Sequence, residues 1–161
     1  MKLVEDTDSK ILDTKKVSDK EAEEAFKTIL TWMGEDSNRE GLLETPKRVV
    51  KAFKEYFGGY TQDAEKILEK TFGDVEGLSK LARVVEVFSK RLQTQERLTM
   101  QVAQALMTSL DAKGVAVTID AAHQCMTMRG IKKENATTVT NYFLGEFKKD
   151  LSTQNRYLKF I

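Results

Sequence analysis

An α+β fold is predicted from two features of the sequence. Apolar residues recur at helical spacing through the first two thirds of the chain, and the spacing then switches to alternation between Gly114 and Phe147. A third observation sets the scale: 161 residues with 40% hydrophobic and 32% charged side chains suit one soluble domain with a helical appendage.

The first 17 residues are polar, carry both signs of charge and contain no apolar run, so they read as a flexible arm rather than a signal peptide. Ser18-Asp19-Lys20-Glu21 has the spacing of a capping box and predicts a helix start. Ala22, Ala25, Phe26, Ile29, Leu30 and Met33 then give the buried stripe, and Gly34 the stop. Thr45-Pro46 predicts a second start, with Thr45 as N-cap and Val49, Val50, Phe53, Tyr56 and Phe57 buried. Gly58-Gly59 ends that helix, and a short one follows over Asp63 to Lys70.

After a break at Phe72–Gly77, helical spacing resumes at Ser79 with Leu81, Val84, Val85, Phe88 and Leu92. Another helix runs from Gln95 to Leu110, with Leu98, Val102, Leu106 and Met107 on its apolar side. Val115, Val117, Ile119, Ala121, His123, Cys125 and Thr127 share one face of a strand. A second strand, Thr137 to Phe147, pairs with it antiparallel, and the tail after Leu151 has no clear pattern. Two strands make a marginal sheet with open edges. The sheet must continue across subunits, or strands are missing.

Composition excludes several function classes. A net charge of +1 gives no global attraction to nucleic acid or membrane. A single cysteine rules out an internal disulfide and suits the cytoplasm. With one histidine, any imidazole chemistry must use His123.

Three clusters can carry chemistry. Ser79, Lys80 and Arg83 crowd a predicted helix start, where amides and cations together favour an anion such as phosphate; a solvated basic turn is the alternative. Gln95 and Glu96 open the next helix, where a carboxylate can accept from the N1–H and amine of guanine, or simply favour the helix terminus. His123 and Cys125 project to the same side of a strand, as a metal ligand beside an acid–base group or as buried core residues. Arg129 follows at the same parity.

The strings GLSKLARVVEVFSKRLQTQERLT (Gly77 to Thr99) and GVAVTIDAAHQCMTMRG (Gly114 to Gly130), with REGLLETPKRV (Arg39 to Val49) and FGGY (Phe57 to Tyr60), resemble GTP cyclohydrolase I. The resemblance implies the tunnelling fold, an antiparallel sheet backed by two helices. It implies an N-terminal helical region at 18–77 and a catalytic domain at 78–161. It also implies sheets joined into a barrel within a decamer of two pentamers.

By the same resemblance, Ser79, Lys80, Arg83 and Arg129 hold the GTP triphosphate, with Arg48 reaching it from a neighbouring subunit. Gln95 and Glu96 read guanine, Cys125 is a zinc ligand and His123 is the catalytic proton donor. The implied reaction is zinc-dependent hydrolysis of GTP to 7,8-dihydroneopterin triphosphate and formate, the first step of tetrahydrofolate or pterin synthesis.

One departure is large. Between Gly77 and Leu78 the family has a further few tens of residues, with two strands and a Cys-Glu-His-His motif that supplies the other two zinc ligands. This chain has no other Cys or His. A catalytic zinc usually has three protein ligands and an open position. As it stands, the chain should bind zinc weakly and not turn over GTP. An omitted stretch, a truncation and a catalytically inactive GTP- or pterin-binding paralogue each account for the gap. Another tunnelling-fold enzyme on a different purine or pterin is a further alternative, against which the set of triphosphate cations weighs.

Overall fold

The computed structural model describes residues 16–69, 77–123 and 136–161. They divide into two compact units, Met1–Glu55 and Tyr56–Ile161.

In the first unit, α1 spans Asp19–Trp32 and α2 spans Thr45–Tyr56. The capping box is formed: Ser18 Oγ accepts from the Glu21 amide, and the Glu21 carboxylate accepts from the Ser18 amide at 2.8 Å. These bonds hold the Glu21 carboxyl below its ordinary pKa, the backbone bond contributing most. Helix α2 starts at Thr45 itself rather than after it, because the Thr45 amide already bonds Leu42 O and the Arg48 amide bonds Glu44 O. The expected buried stripe is only partly buried. Val50 is inside, but Phe53 and Tyr56 are exposed. Phe53 packs edge-on against Phe26 with ring centroids 5.3 Å apart.

The second unit opens with a 3-10 turn at Gly58–Thr61 and helix α3 at Ala64–Glu69, whose first amides are capped by Asp63. Helix α4 covers Gly77–Ser89 and α5 covers Gln95–Ser109, with Thr94 as N-cap. Because α4 begins at Gly77, Ser79 lies within its first turn and does not cap it. Strands β1 (Gly114–Ala122) and β2 (Thr137–Gly145) pair antiparallel, with Val117 opposite Tyr142 and Ile119 opposite Thr140.

A short helix α6 (Glu146–Lys149) and α7 (Leu151–Leu158) close the chain. The expected second strand thus stops at Gly145, whose φ of +59° turns the backbone and whose missing Cβ would meet Lys113 O at 2.2 Å. Helix α7, which has no apolar periodicity to announce it, is nucleated by Asp150 capping Ser152 and Thr153. Its Tyr157 packs edge-on against Phe143 and Phe147 and donates to Thr118 Oγ1 at 3.0 Å.

The core lies where α3, α4 and α5 meet beneath the sheet. Leu68, Val84, Val87, Phe88, Val102 and Ala105 are buried there, with Val117 of β1 packed against them. Val85 and Leu92, expected inside, are exposed, while Val87 takes an inward place instead. Gly59 is drawn into this core so closely that a Cβ would sit 1.9 Å from Val87 O. Only a glycine permits that contact between the turn and the end of α4.

Candidate active site

A cleft of about 410 Å³ opens where the start of α5 meets the end of β1, and Gln95, Glu96, Ile119, Ala121 and His123 line it. Three features put these residues together. Thr94 ends an extended stretch and accepts from the Arg97 amide, so α5 starts beside the sheet with Gln95 and Glu96 in its first turn. The pleat sends Ile119, Ala121 and His123 to one side of β1 and its continuation. The core then clamps α5 against that face through Thr99 and Val102.

Glu96 is at the surface of the cleft. Its own backbone amide, then the Thr94 hydroxyl, bond to its carboxylate and hold its pKa below the ordinary value, with a smaller contribution from His123. It therefore stays an anion, with acceptor capacity on both oxygens. Gln95 is buried, with its amide nitrogen 2.9 Å from Ile119 O and 2.7 Å from Thr138 O, and its side-chain oxygen 2.6 Å from His123 Nε2. Thr99 Oγ1 donates to Gln95 O at 2.7 Å and lies 2.6 Å from Thr140 Oγ1.

The basic cluster sits elsewhere in the same unit. Ser79, Lys80 and Arg83 occupy the first two turns of α4, with Ser79 and Arg83 exposed and Lys80 half-buried, and none of them lines this cleft. Arg48 is an exposed residue of α2 in the other unit. Cys125 and Arg129 lie outside the described residues.

Two cleft residues carry no functional signal in the sequence. Arg91 donates to Gly59 O at 3.1 Å and Gln62 O at 3.2 Å, and its guanidinium stacks 4.9 Å from the centre of the Phe88 ring. Gln93 donates to Phe88 O. Both are invisible to motif reading because their partners are backbone carbonyls, which any residue supplies. The polar pattern of Thr138 and Thr140 on β2 was the one available hint that this face of the sheet holds buried hydrogen bonds.

Among the described residues, no group of three His, Cys, Asp or Glu side chains could hold a metal ion. With one histidine and one cysteine in the whole sequence, a zinc with three protein ligands cannot be held by His and Cys alone.

This cleft, on a two-stranded sheet backed by helices, brings an anionic carboxylate, a buried amide and an imidazole together. The family model for GTP cyclohydrolase I matches residues 22–76 and 72–161, and the chain belongs to that family. It is similar to the protein named GTP cyclohydrolase 1 of Pelagibacter ubique, at 78% identity over 200 residues, covering 100% of this chain and 99% of the relative. The proteins of that name from Maricaulis maris and Allorhizobium ampelinum are each 42% identical, over 91% and 92% of this chain and 90% and 94% of their own lengths.

The lengths carry a second message. The Pelagibacter alignment runs over 200 residues against a chain of 161, a difference of 39 positions with no residue here. The family model matches in two pieces that meet at 72–76, as an internal gap produces. Among the described residues, no helix is long and apolar enough to cross a membrane.

Proposed function

We propose that this chain binds GTP and takes the part of a GTP cyclohydrolase I, opening the guanine imidazole ring to give formate and 7,8-dihydroneopterin triphosphate. This is the entry to tetrahydrofolate or pterin synthesis, and the cytoplasm suits it. The observation that supports it most is the pairing of an ionised Glu96 with His123 in one cleft, within a chain whose residues 22–161 the family model matches.

Each residue has a task in this reading. Glu96 accepts from the N1–H and amine of guanine, and fixes the base. His123 delivers a proton to the opening ring. Ser79, Lys80, Arg83 and Arg129 hold the triphosphate, and remote binding of that tail positions the base for attack. Arg48 reaches the phosphates from a neighbouring subunit. The assembly is a homodecamer of two stacked pentamers, with sheets joined edge to edge into a barrel. Residues 78–161 form the catalytic domain and 18–77 the helical region.

Zinc is the exception. Cys125 occupies the family's ligand position, but the chain's own donors do not complete the set. This favours a second reading, in which the chain holds GTP or a pterin without turnover. One experiment separates the two: GTP binding by calorimetry, alongside formate release and pterin absorbance with zinc added. Turnover supports the first reading. Saturable binding without turnover supports the second, and loss of binding in Glu96→Gln supports the site in both. No binding of GTP at all would sink both.

A further inference from the structure

We propose that Gln95 is a positioning residue that fixes which nitrogen of His123 carries the ring proton. The orientation of the Gln95 amide is set by its surroundings. Its nitrogen faces two carbonyl oxygens, Ile119 O at 2.9 Å on β1 and Thr138 O at 2.7 Å on β2. Reversing the amide would put oxygen against oxygen at both. The nitrogen's two hydrogens are thus directed to the two strands, and the side-chain oxygen is left as an acceptor.

That oxygen lies 2.6 Å from His123 Nε2. A glutamine oxygen accepts and cannot donate, so Nε2 must bear hydrogen. In the neutral ring Nδ1 is then the basic atom. Proton exchange with a substrate therefore runs through Nδ1, while Nε2–H serves as the tether. Gln95 is itself locked. It is buried, its backbone oxygen accepts from Thr99 Oγ1 at 2.7 Å, and it bridges both strands at the mouth of the cleft. One side chain ties the helix start to the sheet and the sheet to the imidazole.

This rests on the proposed role of His123, but its test uses neither GTP nor metal, so the two can fail separately. The chain has one histidine, so its ring signals need no assignment by mutation. In the full chain with labelled imidazole nitrogens, long-range proton–nitrogen spectra should show Nε2 protonated and Nδ1 bare, with an observable Nε2 proton slowed in exchange. Gln95→Met should abolish that proton signal. Thr99→Val loosens the same helix without touching the histidine and should keep the signal, which a merely structural role for Gln95 would not predict. A ring proton on Nδ1 in the unaltered chain overturns the proposal, even if Gln95→Met fails to fold. So does a Gln95→Met spectrum with His123 unchanged.

Discussion

Helix α1 buries none of its residues, whereas α5 buries Gln95, Thr99, Gln101, Val102, Ala103 and Ala105. The first is held at its start by the Ser18–Glu21 capping box and an Asp19–Lys54 ion pair 2.6 Å long, and along its length by the Phe26–Phe53 ring contact. The second is held along its length by a core. The contrast teaches where function can be built. A cleft whose side chains must hold position to a few tenths of an ångström needs a helix that is clamped, and Gln95 and Glu96 sit on the clamped one.

Breaking the core should separate the two regions most sharply. Leu68 is fully buried, and Leu68→Ala should lower stability by about 2–5 kcal/mol in a denaturant melt. The larger Trp32, 83% exposed on α1, should tolerate alanine with a far smaller change in the same chain. Next comes Gly59→Ala. Its Cβ would meet backbone of α4 at 1.9 Å, so strain of about 1–3 kcal/mol is expected, read as a lower melting midpoint. Ser18→Ala should be smaller, about 1 kcal/mol, and confined to the helical signal of the first unit.

The smallest effect is one of pH. Glu21 and Asp150 both have lowered pKa values in the fold, Glu21 through the Ser18 amide and hydroxyl, Asp150 through the Thr153 hydroxyl and then the Ser152 amide. A depressed carboxylate contributes stability that is fully present above its unfolded pKa of about 4 and is lost as pH falls through the lowered folded value. Melting midpoints should therefore drop modestly in acid, and Asp150→Asn should flatten the drop. An unchanged acid profile in Asp150→Asn would show that the cap carries no such linkage.

The sequence made the helix starts legible because caps are local. Ser18 announces α1, and Thr94 sits directly before the expected start of α5. It also placed His123 with Ile119 and Ala121, because strand parity is a counting rule. It misjudged Phe53, Tyr56 and Val85, since periodicity marks an apolar face without saying what covers it. It marked Gln95, with Glu96, as a guanine-reading pair, and gave no sign of the contacts Gln95 makes inside the fold. The partners that occupy its amide, Ile119 O and Thr138 O, lie 24 and 43 residues away and belong to the backbone, which has no signature in a residue string. Helix α7 was missed because its cap, Asp150, is followed by too few apolar residues to set a period.

The manner in which Arg91 is held bears on how a nucleotide can enter. Its guanidinium donors are aimed at the carbonyls of Gly59 and Gln62, and its flat face is laid against Phe88, so this cation braces the wall instead of offering a hand to the lumen. Glu96 keeps its negative charge at the same mouth. The mouth of the cleft thus favours hydrogen-bond donors over anions.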